Sequence, residues 1–138
     1  MNSVLLDSDV LLDFFFDRQP FSEHAAQVLV LCESGQIKGH ITPVIFSNTY
    51  YLLRQTASHD MTVEKLSNLM SILDVLSIDK EVIKNALASN FSDLEDALQN
   101  FSAIKAGIIN IILTRNTKDY KKSELLVMTP EQYLRMVA

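Results

Sequence analysis

Val4-Leu5-Leu6-Asp7-Ser8-Asp9-Val10-Leu11-Leu12-Asp13 is the stretch whose reading decides the fold. Ser3 to Leu6 is a short apolar run that stops at Asp7, the mark of a buried first strand. Val10 to Phe16 follows almost at once and reads as a short helix. A buried strand that passes through acidic residues straight into a helix is the opening of an α/β domain, and the rest of the chain repeats the alternation.

Phe21 to Glu33 carries Ala25, Val28, Leu29 and Cys32 at helical spacing, with Gly35 as its stop. Gly39 to Thr42 is a strand candidate, and Pro43 suits the first turn of a helix running to about Ala57. Met61 to Asp74 reads as a helix with Leu66, Leu69, Met70 and Leu73 on one face. Val75 to Ile78 reads as a strand, and Asp79 as the cap of a helix to Ser89. Ser92 and Glu95 form an S-x-x-E capping box ahead of an apolar stripe of Leu94, Ala97, Leu98, Phe101 and Ile104, ended by Gly107. Ile108 to Thr114 is apolar almost throughout, as a central parallel strand should be. Leu125 to Met128 is the last strand, and Thr129, Pro130 and Gln132 open a final helix. Strands separated by helices imply a mostly parallel sheet with helices on both faces, whose sites form beyond the carboxyl ends of the strands.

The 138 residues fit one domain, 1–138, with one core; three Gly and three Pro leave little room for long loops. No apolar run approaches the roughly 18 residues that span a bilayer, so no membrane association is expected. The absence of a basic-then-apolar leader, together with a single cysteine, Cys32, points to the cytoplasm. A net charge of −5 argues against a protein that merely coats nucleic acid. It is compatible with a nuclease in which acidic residues bind a cation and the cation meets the phosphate.

The carboxylates are not evenly spread. Asp7, Asp9 and Asp13 cluster at the first strand end, Asp93 and Asp96 share one helix face with Asn100 beyond them, and Asn116 and Asp119 follow the central strand. Converging carboxylates repel one another, and a hard divalent cation such as Mg²⁺ or Mn²⁺ relieves the repulsion. No Cys/His set has zinc spacing. Each acid also has an ordinary role open to it: Asp93 against a helix dipole, Asp119 in a turn, Asp13 and Asp17 as solvated helix charges.

Four segments resemble the PIN domain family, in family order and over almost the whole chain. They are Val4 to Asp13 (family pattern D-T-N-V-L-L-D), Asp93-Leu94-Glu95-Asp96-Ala97-Leu98-Gln99, Ile112 to Tyr120 (T-R-N-x-K-D-F) and Met128 to Leu134 (T-P-E-E-F-L). The resemblance implies a three-layer α/β/α Rossmann-like fold with metal at the carboxyl edge of the sheet. It implies metal-dependent hydrolysis of RNA, as in the VapC-like toxins of toxin–antitoxin pairs, with RNA as substrate and with an antitoxin and a second copy as partners. By this carry-over Asp7 is the first ligand of Mg²⁺ or Mn²⁺ and Asp96 the third acidic position; Asp119 or Asn116 fills the fourth. Asp93 is a neighbouring ligand or water holder, and Ser8 or Thr114 bonds ligands or phosphate from behind. Asp9 replaces the family's usual asparagine and adds a charge. Asn48 stands where many members carry a glutamate, and an amide contributes no charge. That departure motivates the alternative of a non-catalytic PIN-like module that binds RNA or protein.

Other residues have weaker claims. His24, His40 and His59 match no metal spacing. Tyr50 and Tyr51 suit base stacking or packing, and Arg54 a phosphate contact. Arg115, Lys118, Lys121 and Lys122 form a basic stretch suited to RNA backbone or to a solvated loop. Of Phe14, Phe15 and Phe16, one is expected in the core and another against a partner.

Overall fold

A computed structural model describes residues 2–138, and among them five strands form one parallel sheet in the order β3-β2-β1-β4-β5. The strands are β1 (Ser3–Leu6), β2 (Lys38–Ile41), β3 (Leu73–Val75), β4 (Ile111–Leu113) and β5 (Leu126–Met128). β1 lies in the middle, with Leu5 beside His40 of β2 on one side and beside Ile112 of β4 on the other. The chain builds outward from β1 through β2 and β3, then returns to β4 and β5. The reversal leaves a crevice between β1 and β4 at their carboxyl ends. Val4, Leu5, Leu6, Ile112 and Leu113 are fully buried, which is why these strands lack polar alternation.

Helices cover both faces of the sheet. α1 (Ser8–Phe15), α2 (Ser22–Glu33), α3 (Pro43–Leu53), α4 (His59–Met70) and α7 (Pro130–Val137) pack in one chain of contacts, and α5 (Lys80–Leu87) pairs with α6 (Leu94–Ala106). Gly39 explains how closely α2 approaches the sheet. A Cβ there would lie 2.5 Å from Leu73 Cδ2 and 2.6 Å from Cys32 Sγ. Cys32 is a buried core residue, as its place in the apolar pattern suggests.

Several boundaries differ from the sequence reading. α4 stops at Met70, and the next strand is Leu73–Val75 rather than Val75 to Ile78. Leu73 satisfies the helical spacing of Leu66 and Leu69, yet its burial comes from pairing with Gly39, and one-dimensional spacing cannot separate the two. α3 ends at Leu53, before a turn through Ala57. β4 is shorter than Ile108 to Thr114: Ile108 is exposed, and the Asn110 Oδ1 accepts from the Ser3 amide at 2.8 Å. The cap of α6 is Asp93, whose carboxylate accepts from the Asp96 amide at 3.0 Å; Ser92 stands outside the helix. The expected stripe on α6 is also mixed. Leu94 is exposed, while Gln99, Asn100 and Ser102 are buried, each with a hydrogen-bond partner on another segment. The Thr129–Gln132 capping box of α7 is present as read.

Candidate functional site

Asp7 stands where β1 becomes α1, and its carboxylate belongs to both. Its Oδ1 caps the helix by accepting from the Ser8 amide at 2.8 Å. Its Oδ2 faces the end of β4, where the Thr114 hydroxyl donates at 3.0 Å and the buried Tyr120 hydroxyl donates at 3.1 Å. Asp9, one residue into α1, turns back to the same strand end. Its Oδ2 accepts from the Arg115 amide at 2.9 Å and lies 3.2 Å from the Thr114 hydroxyl. Its Oδ1 is buried and has no protein partner. β1 and β4 pair directly, so the tight turn after each strand brings these groups together.

Around them opens a concavity of about 550 Å³. α1 contributes Ser8 and Asp9, the start of α6 contributes Asp93, Glu95 and Asp96, and the segment after β4 contributes Asn116 and Asp119. α3 closes the remaining side with Asn48, Tyr51 and Leu52. The residues expected to converge thus do so: Asp7, Asp9, Asp93, Asp96, Asn116 and Asp119 line one hollow, with Ser8 and Asn48. Both candidates for the fourth position reach it. Thr114 lies behind, fully buried, holding Asp7.

Electrostatics reflect the crowding. Burial, more than any other cause, pushes the Asp7 carboxyl above its ordinary value, and the Glu95 charge adds to the shift. Asp9 is pushed up to about 6 by burial and then by the Asp7 charge, against the hydrogen bonds from Arg115 and Thr114. Asp96 is pushed up to about 7 by burial, then by the charges of Asp7 and Asp93, with Asp119 adding to them. The Tyr120 phenol, hydrogen-bonded to Asp7, is pushed up by burial and then by the charges of Asp7 and Asp96, and stays a proton donor.

Asp13 and Arg115 form a pair that the sequence reading did not foresee. Asp13 is no solvated helix charge, being only 1% exposed. Arg115 turns its side chain onto Asp13 through two bonds, Nε to Oδ2 at 2.5 Å and Nη2 to Oδ1 at 2.9 Å. The guanidinium also lies 4.0 Å from the centre of the Phe21 ring. The unit ties α1 to the turn that presents Thr114 and the Arg115 amide. Sequence reasoning missed Tyr120, Arg18 and Glu95. Arg18 lines the concavity with its guanidinium 3.8 Å from Asp13. The last position of the T-R-N-x-K-D-F segment, here Tyr120, was the available signal for the first, and the place of Glu95 inside the Asp93 to Gln99 segment for the third; nothing local marked Arg18.

The donor set fits a hard divalent cation. Its atoms are carboxylate and amide oxygens, and the unpartnered buried Asp9 Oδ1 is the kind of oxygen a cation satisfies. Among the described residues no three His, Cys, Asp or Glu side chains are grouped closely enough to hold a metal ion, so the fit to a cation is one of donor chemistry.

Of the other residues weighed, Tyr50 is half-buried with its hydroxyl 2.8 Å from His59 Nδ1, whereas Tyr51 is 68% exposed at the rim. His40 is buried in β2, its Nδ1 at 3.3 Å from the Val4 carbonyl. Lys118, Lys121 and Lys122 line a neighbouring hollow of about 310 Å³ that shares Asp119 with the acidic one. Phe14 is exposed, and Phe15 and Phe16 pack on the core.

A parallel sheet with helices on both faces and an acidic hollow at its carboxyl edge defines a class of α/β domain built to gather carboxylates. A profile described as PIN domain matches residues 3–118, and the chain belongs to that family. The sequence matches no curated protein. The fold is similar to that of a toxin–antitoxin complex from Klebsiella pneumoniae, with a TM-score of 0.69 and 22% identity over 92% of this chain and 97% of the other. It is also similar to VapBC-1 from nontypeable Haemophilus influenzae, with a TM-score of 0.68 and 9% identity over 94% and 98%. A third similar structure is Mycobacterium tuberculosis VapC20, described as a toxin cleaving the sarcin–ricin loop, with a TM-score of 0.60 and 14% identity over 79% and 86%.

Proposed function

We propose that this protein is a Mg²⁺- or Mn²⁺-dependent endoribonuclease and the toxin of a toxin–antitoxin pair, acting in the cytoplasm. The observation that carries the reading is the convergence of Asp7, Asp9, Asp93, Asp96 and Asp119 on one hollow at the carboxyl edge of the sheet. Membership of the PIN domain family and the toxin structures of the same fold support it.

Asp7, Asp96 and Asp119 would hold the cation, with Asp93 and Asn116 beside them. When bound, the cation lowers the pKa of a water and stabilises charge on a phosphate. The Thr114 and Tyr120 hydroxyls hold Asp7 in one orientation, so the ligand atoms need little rearrangement. Lys118, Lys121 and Lys122 offset the charge of flanking phosphates, and the exposed Tyr51 ring offers a base a stacking surface. An apolar groove of about 390 Å³ between α1, α2 and α4, lined by Phe14, Phe15, Leu29, Val30, Leu69 and Ile72, suits an amphipathic helix of an antitoxin. A second apolar ledge with Val30, Leu31 and Leu134 suits a second copy of the chain.

RNA cleavage with Mn²⁺ by the intact protein, compared with Asp7→Asn and Asp96→Asn, tests the reading. Both substitutions are expected to abolish cleavage; equal cleavage by all three proteins refutes it. Asn48 favours a second reading, a PIN module that binds RNA or protein without turnover. Calorimetry showing no Mg²⁺ or Mn²⁺ binding at millimolar concentration would support that alternative.

A further inference from the structure

We infer that Glu95 is a working carboxylate of the metal centre, oriented toward it by Asn48, so that the pair Asn48–Glu95 brings in from α6 the charge that α3 does not carry. The inference rests on the metal-dependent reading above. Glu95 lies in the first turn of α6 and lines the same hollow as Asp7, Asp93 and Asp96. Glu95 is exposed, and the Asn48 Nδ2 donates to its Oε2 at 2.9 Å across the gap between the two helices. Among the described residues no Lys, Arg or His forms an ion pair with it. A clasp between α3 and α6 would work as well with a neutral glutamine. A carboxylate without a cation, fixed on the wall of a hollow that already holds like charges, raises the repulsion there. A divalent cation turns that repulsion into attraction. An amide suits position 48, since it donates to one carboxylate oxygen and leaves the other free.

The test exchanges the two functional groups without changing side-chain length. Mn²⁺ binding is measured by calorimetry for the intact protein, Glu95→Gln, Asp7→Asn and the double variant Asn48→Asp with Glu95→Gln, with thermal melts to confirm folding. Glu95→Gln is expected to weaken Mn²⁺ binding by about tenfold, and the double variant to regain most of it, because the charge moves across one hydrogen bond and stays in the hollow. Unchanged affinity in Glu95→Gln, with binding lost in Asp7→Asn, overturns the role of Glu95 and leaves the metal-dependent reading standing. Equal loss in Glu95→Gln and the double variant overturns the exchange of charge between the two positions. No binding by the intact protein overturns both readings.

Discussion

Replacing Arg115 by methionine should destabilise the protein by about 3 kcal/mol, although the residue follows a strand end and touches no core cluster. Its partner sets the size of the effect. Asp13 is 1% exposed, and Arg115 supplies both of the side-chain hydrogen bonds that reach its carboxylate. Breaking a buried ion pair from one side costs about 3–5 kcal/mol, because the remaining charge is left in a poorly solvated place. Arg18, at 3.8 Å and half in solvent, offsets only up to about 1 kcal/mol of that. The lost stacking on Phe21 adds a similar amount, partly returned by the methionine sulfur on the same ring. The lower end of the range follows. Urea unfolding followed by circular dichroism measures it, read as a shift in midpoint at constant slope. Removing both charges, Asp13→Leu with Arg115→Met, should return the protein to within about 1 kcal/mol of its original stability, since no unpaired charge remains. A single variant within about 0.5 kcal/mol of the intact protein would refute the reasoning, for it would mean that Asp13 finds solvent or another partner without cost.

Two further outcomes follow from the geometry. In the metal-free protein Asp9 and Asp96 are raised from 3.8 to about 6 and about 7, so the folded chain keeps protons that the unfolded chain has released. Their contribution to stability is therefore lost as pH rises through that window, and a cation must displace those protons to bind. The rise in melting temperature caused by Mn²⁺ should be larger at about pH 8 than at about pH 5; a shift independent of pH would contradict the shared burial of these acids. Gly39→Ala should cost about 1–3 kcal/mol by overpacking, because its methyl group would meet both Leu73 and Cys32. A melting temperature equal to that of the intact protein would show that α2 and β3 yield freely.

Much of the fold was legible because burial leaves a periodic trace. β1, the start of α7 and the long apolar helix α2 follow directly from the spacing of residues. Misreadings fell where one residue satisfies two patterns. Leu73 is spaced as a helical neighbour of Leu69 and Met70, yet it pairs with β2. Ser92 and Asp93 are both good caps, and only the backbone path decides which of them meets the free amides of α6.

The acids of the site were legible one segment at a time, because each follows a strand or opens a helix. Asp7, Asp96 and Asp119 are visible in that way. Their neighbourhood was not visible, since hydrogen bonds between Thr114 and Asp7, between Arg115 and Asp13, or between Asn48 and Glu95 join residues far apart in the chain.

From Val4 to Asp13 the sequence by itself determined a buried strand, an acidic turn and a helix, because local spacing and solvent avoidance act along the chain. Only the tertiary structure decided which of those aspartates faces the hollow and which is locked beneath it. Asp7, Asp9 and Asp13 are chemically alike, and the pairing of β1 with β4 gave Asp7 a threonine and a tyrosine, Asp9 an unpartnered oxygen, and Asp13 an arginine.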